Sequence, residues 1–181
     1  VEIAGDVVVP EGVTLTIQPG TTITLPAGFD ASYGGSDINR TEFLVHGTLL
    51  AEGTELEPIV LTSASSSPVK GDWMGLKGDG TLYMEYVTVE YGVNGIDYDA
   101  NVEADALYLY GCTIQHSSGT GVFAEAQVSG TAHVTVQNCT ITDHDAYGIY
   151  CRSYGTGTIV DAWISENEIY DNVSRGVYLH A

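Results

Sequence analysis

The chain has 181 residues, one domain by length, and 44% of them are hydrophobic, enough to line a continuous core. Five Lys and Arg stand against 24 Asp and Glu; the resulting formal charge of −19 repels phosphate backbones and anionic lipid and argues against a nucleic-acid partner. No segment approaches the roughly 18 unbroken apolar residues of a membrane span, and the three cysteines fit neither a zinc spacing nor a disulfide-dense framework.

In the first third, Val13, Leu15 and Ile17 alternate with Thr14 and Thr16, the period of a strand with one buried face. Gln18-Pro-Gly20 then turns the chain into a second strand, Thr21 to Leu25. The stretch from Ala27 to Arg40 (AGFDASYGGSDINR) is rich in Gly and Ser and loses alternation, which predicts a loop over 27–41. Strand character returns from Phe43 to Leu49 and again over Pro58 to Thr62, and Ser63 to Pro68 (SASSSP) begins a second loop, 63–70. Gly71-Asp-Trp-Met-Gly-Leu76 opens a regular array that runs to the end, so 1–181 is one domain with irregular rungs over 1–70 and regular rungs over 71–181.

That array repeats. Val89, Ile114, Ile141 and Ile169 fall 25, 27 and 28 residues apart, and Gly95, Gly121, Gly148 and Gly176 fall 26, 27 and 28 apart. Each of these glycines precedes a β-branched residue: Ile96, Val122, Ile149 or Val177. A period of 25–28 with alternating apolar residues, Gly-rich corners and no helical stretch predicts an all-β chain coiled in stacked rungs, a β-solenoid. Cys112 and Cys139 register two residues before Ile114 and Ile141, so they point inward on rungs about 4.8 Å apart. A disulfide accepts that spacing, although parallel side chains favour buried thiols. Cys151 is expected as a third core thiol.

The register also stacks polar residues. Tyr91, His116, Asp143 and Asp171 follow the Val89–Ile169 column by two positions, with His144 and Asp145 beside it. Stacked carboxylates relieve their repulsion by taking up a proton or a cation; oxygen ligands favour Ca2+, and two histidines admit Zn2+ or Cu2+. A hydrated turn column is the simpler reading. The run Asp97-x-Asp99-x-Asn101-x-Glu103-x-Asp105 is a second candidate for Ca2+. It is not an EF-hand, because Val102 stands where that loop needs Gly and Tyr108 where its bidentate Glu belongs. Tyr83, Tyr108, Thr135 and Trp163 form one outward column, and Phe123, Tyr150 and Tyr178 another. Such rings stack on sugars or stabilise neighbouring rungs. Asn39, Asn138 and Asn172 head glycosylation sequons.

The run HGTLLAEGTELEPIVLTSASSSPVKGDWMGLKGDGTLYMEYVTVEYG resembles a segment of extracellular right-handed parallel β-helix repeat proteins of bacteria and archaea. In these a Gly-x-Leu-x-Ala-x-Gly-Thr turn, a Pro-Ile strand, a Thr-Ser turn and a Gly-Asp-Trp-x-Gly strand follow in order. The resemblance covers about a quarter of the chain; it implies a right-handed hand, as parallel crossovers also prefer, and a secreted or surface-anchored context. It implies no single activity, because polysaccharide lyases, pectin-type hydrolases, adhesins and phage fibres share the scaffold. Lyases of this family pair Ca2+-binding acids with an Arg or Lys base, and the hydrolases use clustered Asp. Here Arg152 registers between Glu125 and His180 in a column begun by Asp99, where flanking acid makes it a poor base. Lys70 and Lys77 lie outside the repeat column, and Arg175 lies at a turn.

The expected function is therefore a non-catalytic extracellular or cell-surface structural or adhesion module, with Ca2+ as the cation that would stabilise it. Val1 enters without a capping helix and the chain ends on a rung, so either it derives from a longer solenoid or copies stack head to tail into a filament. The alternative is a carbohydrate-active enzyme, lyase or glycoside hydrolase, with His116, Asp143 and Asp171 as its acid cluster, or a glycan-binding module built on Tyr83, Tyr108, Trp163, Phe123, Tyr150 and Tyr178. The separation of Asp143 and Asp171 would decide whether they form a hydrolytic pair.

Overall fold

The computed structural model describes residues 1–32, 35–100, 106–127 and 131–180. Its strands come in triplets. The first three rungs are β1 (Val7–Val9), β2 (Thr14–Ile17) and β3 (Thr22–Leu25); β4 (Glu42–Val45), β5 (Thr48–Glu52) and β6 (Ile59–Ser63); and β7 (Gly75–Gly78), β8 (Thr81–Glu85) and β9 (Val87–Glu90). The next three are β10 (Ile96–Ala100), β11 (Ala106–Tyr110) and β12 (Thr113–Gln115); β13 (Val122–Gln127), β14 (Thr131–Gln137) and β15 (Thr140–Thr142); and β16 (Ile149–Tyr154), β17 (Ile159–Ser165) and β18 (Glu168–Tyr170). β19 (Val177–His180) starts a seventh rung.

Each strand pairs in parallel with the strand three places further on, so the chain winds three sheets at once: β1 to β19 in the first, β2 to β17 in the second and β3 to β18 in the third. Together with the absence of any helix among the described residues, this is a parallel β-helix. The repeat read from the sequence is the register itself, for Val89 lies beside Ile114, Ile114 beside Ile141, and Ile141 beside Ile169. Alternate residues of all three sheets point inward. Leu49, Leu82 and Leu107 of the second sheet, Leu61, Val89 and Ile114 of the third, and Leu76, Ile96 and Val122 of the first are almost fully buried. Each such side chain contributes about 1.5–3 kcal/mol by leaving water. Cys112, Cys139 and Cys151 lie in this core as free thiols, as the register predicts.

The glycine column has a steric cause. Ile96, Val122 and Ile149 donate their N–H to the carbonyls of Gly121, Gly148 and Gly176, each at 2.8 Å, which draws neighbouring corners together. A Cβ on Gly95, Gly121 or Gly148 would lie 2.6, 2.7 or 2.6 Å from the carbonyl oxygen of the next glycine in the column. After β9, β12, β15 and β18 the corner opens with a residue in the left-handed region: Tyr91, His116, Asp143 and Asp171, at φ 65°, 57°, 57° and 54°. The polar column thus marks where these four rungs leave the third sheet.

The segment Phe43 to Leu49 is two strands rather than one. The N–H groups of His46 and Gly47 both donate to Val9 O, at 2.9 and 3.1 Å, and bend the chain there. Gly47 sits so close to the rung before it that a Cβ would meet Pro10 O and Val13 O at 2.3 Å. Long connections join β3 to β4 and β6 to β7, and they brace one another. Gly28 N donates to Asp72 O at 2.7 Å and Arg40 Nε to Gly71 O at 3.0 Å, while Asp72 accepts from Ser63 Oγ at 2.6 Å and Val69 N at 3.1 Å. Both loops therefore stand on the corner between the third and first sheets.

Candidate functional site

The outer face of the first sheet gathers five of the predicted residues, Asp97, Asp99, Phe123, Tyr150 and Tyr178. Register places Lys77, Asp97, Phe123, Tyr150 and Tyr178 in one column and Asp99, Glu125, Arg152 and His180 in the next. Phe123 and Tyr150 meet edge-on with centroids 5.4 Å apart, and Tyr150 lies 5.1 Å from Tyr178. Tyr147, from the corner before β16, completes the cluster at 5.0 Å from Tyr150 and 5.5 Å from Tyr178. The Arg152 guanidinium lies 5.2 Å from the Phe123 centroid and ion-pairs with Glu125, whose carboxylate is buried beneath it. That bond holds Arg152 above its ordinary pKa, so the expected charge-paired guanidinium is what the fold contains. Arg175 covers Tyr178 at 4.4 Å. Next along the face, partial burial pushes the Asp97 and Asp99 carboxyls up, with Asp97 adding to the effect on Asp99; Lys77 Nζ lies 3.9 Å from Asp99 and opposes both shifts.

Ca2+ takes about six to eight oxygen ligands. Asp97 and Asp99, with a lysine beside them, supply too few for a calcium centre, and the other three members of the run, Asn101, Glu103 and Asp105, lie outside the described residues. Among the described residues no group of three or more His, Cys, Asp or Glu side chains is placed to hold a metal ion.

The acid column on the third-to-first-sheet corner differs from its expected chemistry. His116 Nδ1 hydrogen-bonds to Asp143 Oδ2 at 2.7 Å, and the His116 ring stacks on Tyr91 at 5.1 Å. Lys70, which the repeat alignment leaves outside the column, reaches across from the β6–β7 loop to Asp143 Oδ1 at 2.9 Å and Asp145 Oδ1 at 2.8 Å. Hydrogen bonds from Lys70 and then His116 hold the Asp143 carboxyl below its ordinary range. Partial burial opposes the charge on Lys70, but Asp145 and Asp143 outweigh it and hold the amine above its ordinary value. Asp143 and its neighbour Asp145 thus share an internal cation, Lys70.

Asp171 is exposed on the following rung, and among the described residues no hydrogen bond or ion pair joins it to Asp143. His144 is no ligand either. It is fully buried, its Nδ1 accepts from Ser117 N at 3.2 Å, its Nε2 donates to Ile114 O at 3.1 Å, and burial pushes its pKa down to about 4.

On the second sheet Tyr83 and Tyr108 stack face to face, 4.5 Å apart at 6°. Tyr83 OH donates to Glu85 at 2.6 Å. Thr135 separates this pair from Trp163, so that column is a pair and a single exposed ring. Asn39 and Asn138 are exposed. Asn172 instead donates from Nδ2 to Ile141 O at 3.2 Å and accepts His144 N at 3.2 Å, so its amide bridges two rungs. The sequence reading left Lys70 outside the column because it comes from an irregular loop, and it missed Tyr147 because Thr120 and Arg175, at the same place on the neighbouring rungs, are not aromatic.

A family model described as a pectate-lyase like beta helix domain matches residues 1–82. A second, a right handed beta helix region, matches residues 75–181. No curated protein and no solved structure gives a significant match. The second match spans more than half of the chain and coincides with the regular rungs, and the chain belongs to the right-handed β-helix family.

Proposed function

We propose that this protein is a non-catalytic β-helix module of the cell exterior that binds an extended neutral glycan along the outer face of its first sheet. The observation that carries the reading is the contiguous ring cluster of Phe123, Tyr147, Tyr150 and Tyr178, flanked by Arg152 and Arg175. Aromatic faces stack on the C–H faces of pyranoses, and the neighbouring charged groups offer hydrogen bonds to sugar hydroxyls. A surface of formal charge −19 with Asp97, Asp99 and Glu125 at the site disfavours uronate or sulfated chains. The cell exterior is supported by that acidity, the exposed sequon at Asn39, and the resemblance of residues 46–92 to surface proteins.

Neither cationic candidate suits general-base chemistry. Such a Lys or Arg needs a depressed pKa, whereas Lys70 and Arg152 are both held charged by carboxylates. Asp143, held ionised, does not suit the role of general acid.

The test is a glycan array followed by titration with the best neutral oligosaccharide. Tyr150→Ala and Tyr178→Ala should each weaken binding roughly 2- to 12-fold, the worth of one aromatic contact of about 0.5–1.5 kcal/mol. Absence of neutral glycans among the array hits would reject the reading. One observation favours a second reading: the raised carboxyls of Asp97 and Asp99 suit a general acid. Release of reducing ends, abolished by Asp97→Asn or Asp99→Asn, would replace the binding module with a glycoside hydrolase.

A further inference from the structure

Along the corner between the second and third sheets runs a groove of about 510 Å3, within the range of about 300–1,000 Å3 typical of small-molecule sites. Tyr86, Tyr110, Thr88, Thr113, Glu55 and Asn138 line it. Tyr86 occupies the left-handed region at φ 49°, where a bulky residue is a rare choice and costs about 1–2 kcal/mol. Later corners of the same column hold Gly111, Asn138 and Glu166 at φ 62°, 53° and 57°. Gly111 makes room for the ring: a Cβ there would lie 2.8 Å from Tyr86 Cε1. Tyr86 thus lies over the backbone of the next rung, and Tyr110 meets it edge-on, with centroids 5.9 Å apart at 82°. The two rings make adjoining aromatic walls.

Polar groups complete the groove. Thr88 and Thr113 are partners in the register of β9 and β12, so their hydroxyls follow one another at the rung spacing of about 4.8 Å. The Glu55 carboxylate and the Asn138 amide add an acceptor and a mixed donor and acceptor. Apolar ring faces beside a row of hydroxyl, amide and carboxylate groups complement a pyranose, which has an apolar C–H face and a rim of hydroxyls. Glu55 and the acidic surface select against anionic sugars.

We propose that this groove is a second glycan-binding site, which takes a short uncharged saccharide segment between Tyr86 and Tyr110. It uses no residue of the first-sheet face and shares with the proposed function only the class of ligand.

The experiment is a titration of the 15N-labelled protein with cellohexaose, laminarihexaose and mannohexaose, followed by amide chemical shifts. At least one of these probes should give saturable shifts at Gly111, Thr113 and Asn138. Tyr110→Ala and Thr113→Val should each weaken that response at least about threefold, with spectra elsewhere unchanged to show that the variants fold. Tyr150→Ala should leave it intact. Lack of a saturable shift at these three amides with every probe overturns the inference, as does a response that survives both groove variants. Saturable shifts confined to the Tyr150 region overturn this site and leave the first-sheet reading standing; shifts confined to the groove do the reverse.

Discussion

His144 fills the space that Gly121 leaves without a side chain: a Cβ on Gly121 would lie 2.4 Å from His144 Nε2 and 2.7 Å from Gly148 O. The imidazole cannot retreat, because Ser117 N and Ile114 O hold its two nitrogens. Gly121→Ala should therefore destabilise the fold by about 1–3 kcal/mol through overpacking. Gly176→Ala is the control, since the nearest atom to its Cβ would be at an ordinary 3.4 Å. Denaturant midpoints measured side by side check the difference; equal midpoints would mean that the corner yields.

The same histidine makes the fold sensitive to acid. Burial lowers its pKa to about 4 from the ordinary 6.5, so between these values the unfolded chain binds more protons than the folded one. The corresponding stability is complete above pH 6.5 and declines as pH falls through the window to 4, by on the order of 3 kcal/mol. His144→Phe should flatten this part of the pH profile whatever it does to stability at pH 7. Unfolding curves at pH 7, 5.5 and 4.5 for both proteins measure it.

Lys70 ties the β6–β7 loop to a corner three rungs further on. Its partners are about half exposed, so Lys70→Met should cost less than about 1 kcal/mol. The clearer effect is on titration. With the amine gone, the Asp143 carboxyl should move up toward its ordinary range, leaving the smaller lowering by His116. Side-chain carboxyl shifts followed from pH 7 to 2 by NMR would detect the change.

Glu125 is buried beneath a half-exposed arginine. Arg152→Met leaves that carboxylate without its cation and should destabilise by about 1–3 kcal/mol. Adding Glu125→Gln should restore part of the loss. A double-mutant cycle reads the coupling, and additive effects would mean the pair is structurally silent.

The three core thiols should be inert in the folded protein. Burial pushes Cys151 up to about 12 and Cys112 well above its ordinary value; the hydrogen bond with Cys112 lowers Cys139, but that thiol is only 1% exposed and so out of a reagent's reach. An aromatic disulfide reagent at pH 8 should find three thiols after unfolding and almost none before.

The fold was legible because a solenoid repeats one local solution. The spacing of Val89, Ile114, Ile141 and Ile169 is the pairing register, and the glycines at 95, 121 and 148 mark rungs whose corners nearly touch. The first-sheet aromatic column followed from the same arithmetic. The His46–Gly47 corner did not, because β4 and β5 both alternate and only contact with the preceding rung separates them. Site chemistry was less legible. Aligning His116 with Asp143 was correct, but their charge balance depends on Lys70, 73 residues before Asp143 and in an irregular loop.

By itself, then, the sequence determined the sheets, the inward residues and the order in which side chains stack, since these follow from a period of two within strands and one close approach per rung. Only the tertiary structure decided which stacked groups act together. It closed the Asp143 column with Lys70, set His144 inside the core, added Tyr147 to Phe123, Tyr150 and Tyr178, and left a groove beside Tyr86. All four depend on corners and loops, whose paths are set by contacts between distant rungs rather than by local periodicity.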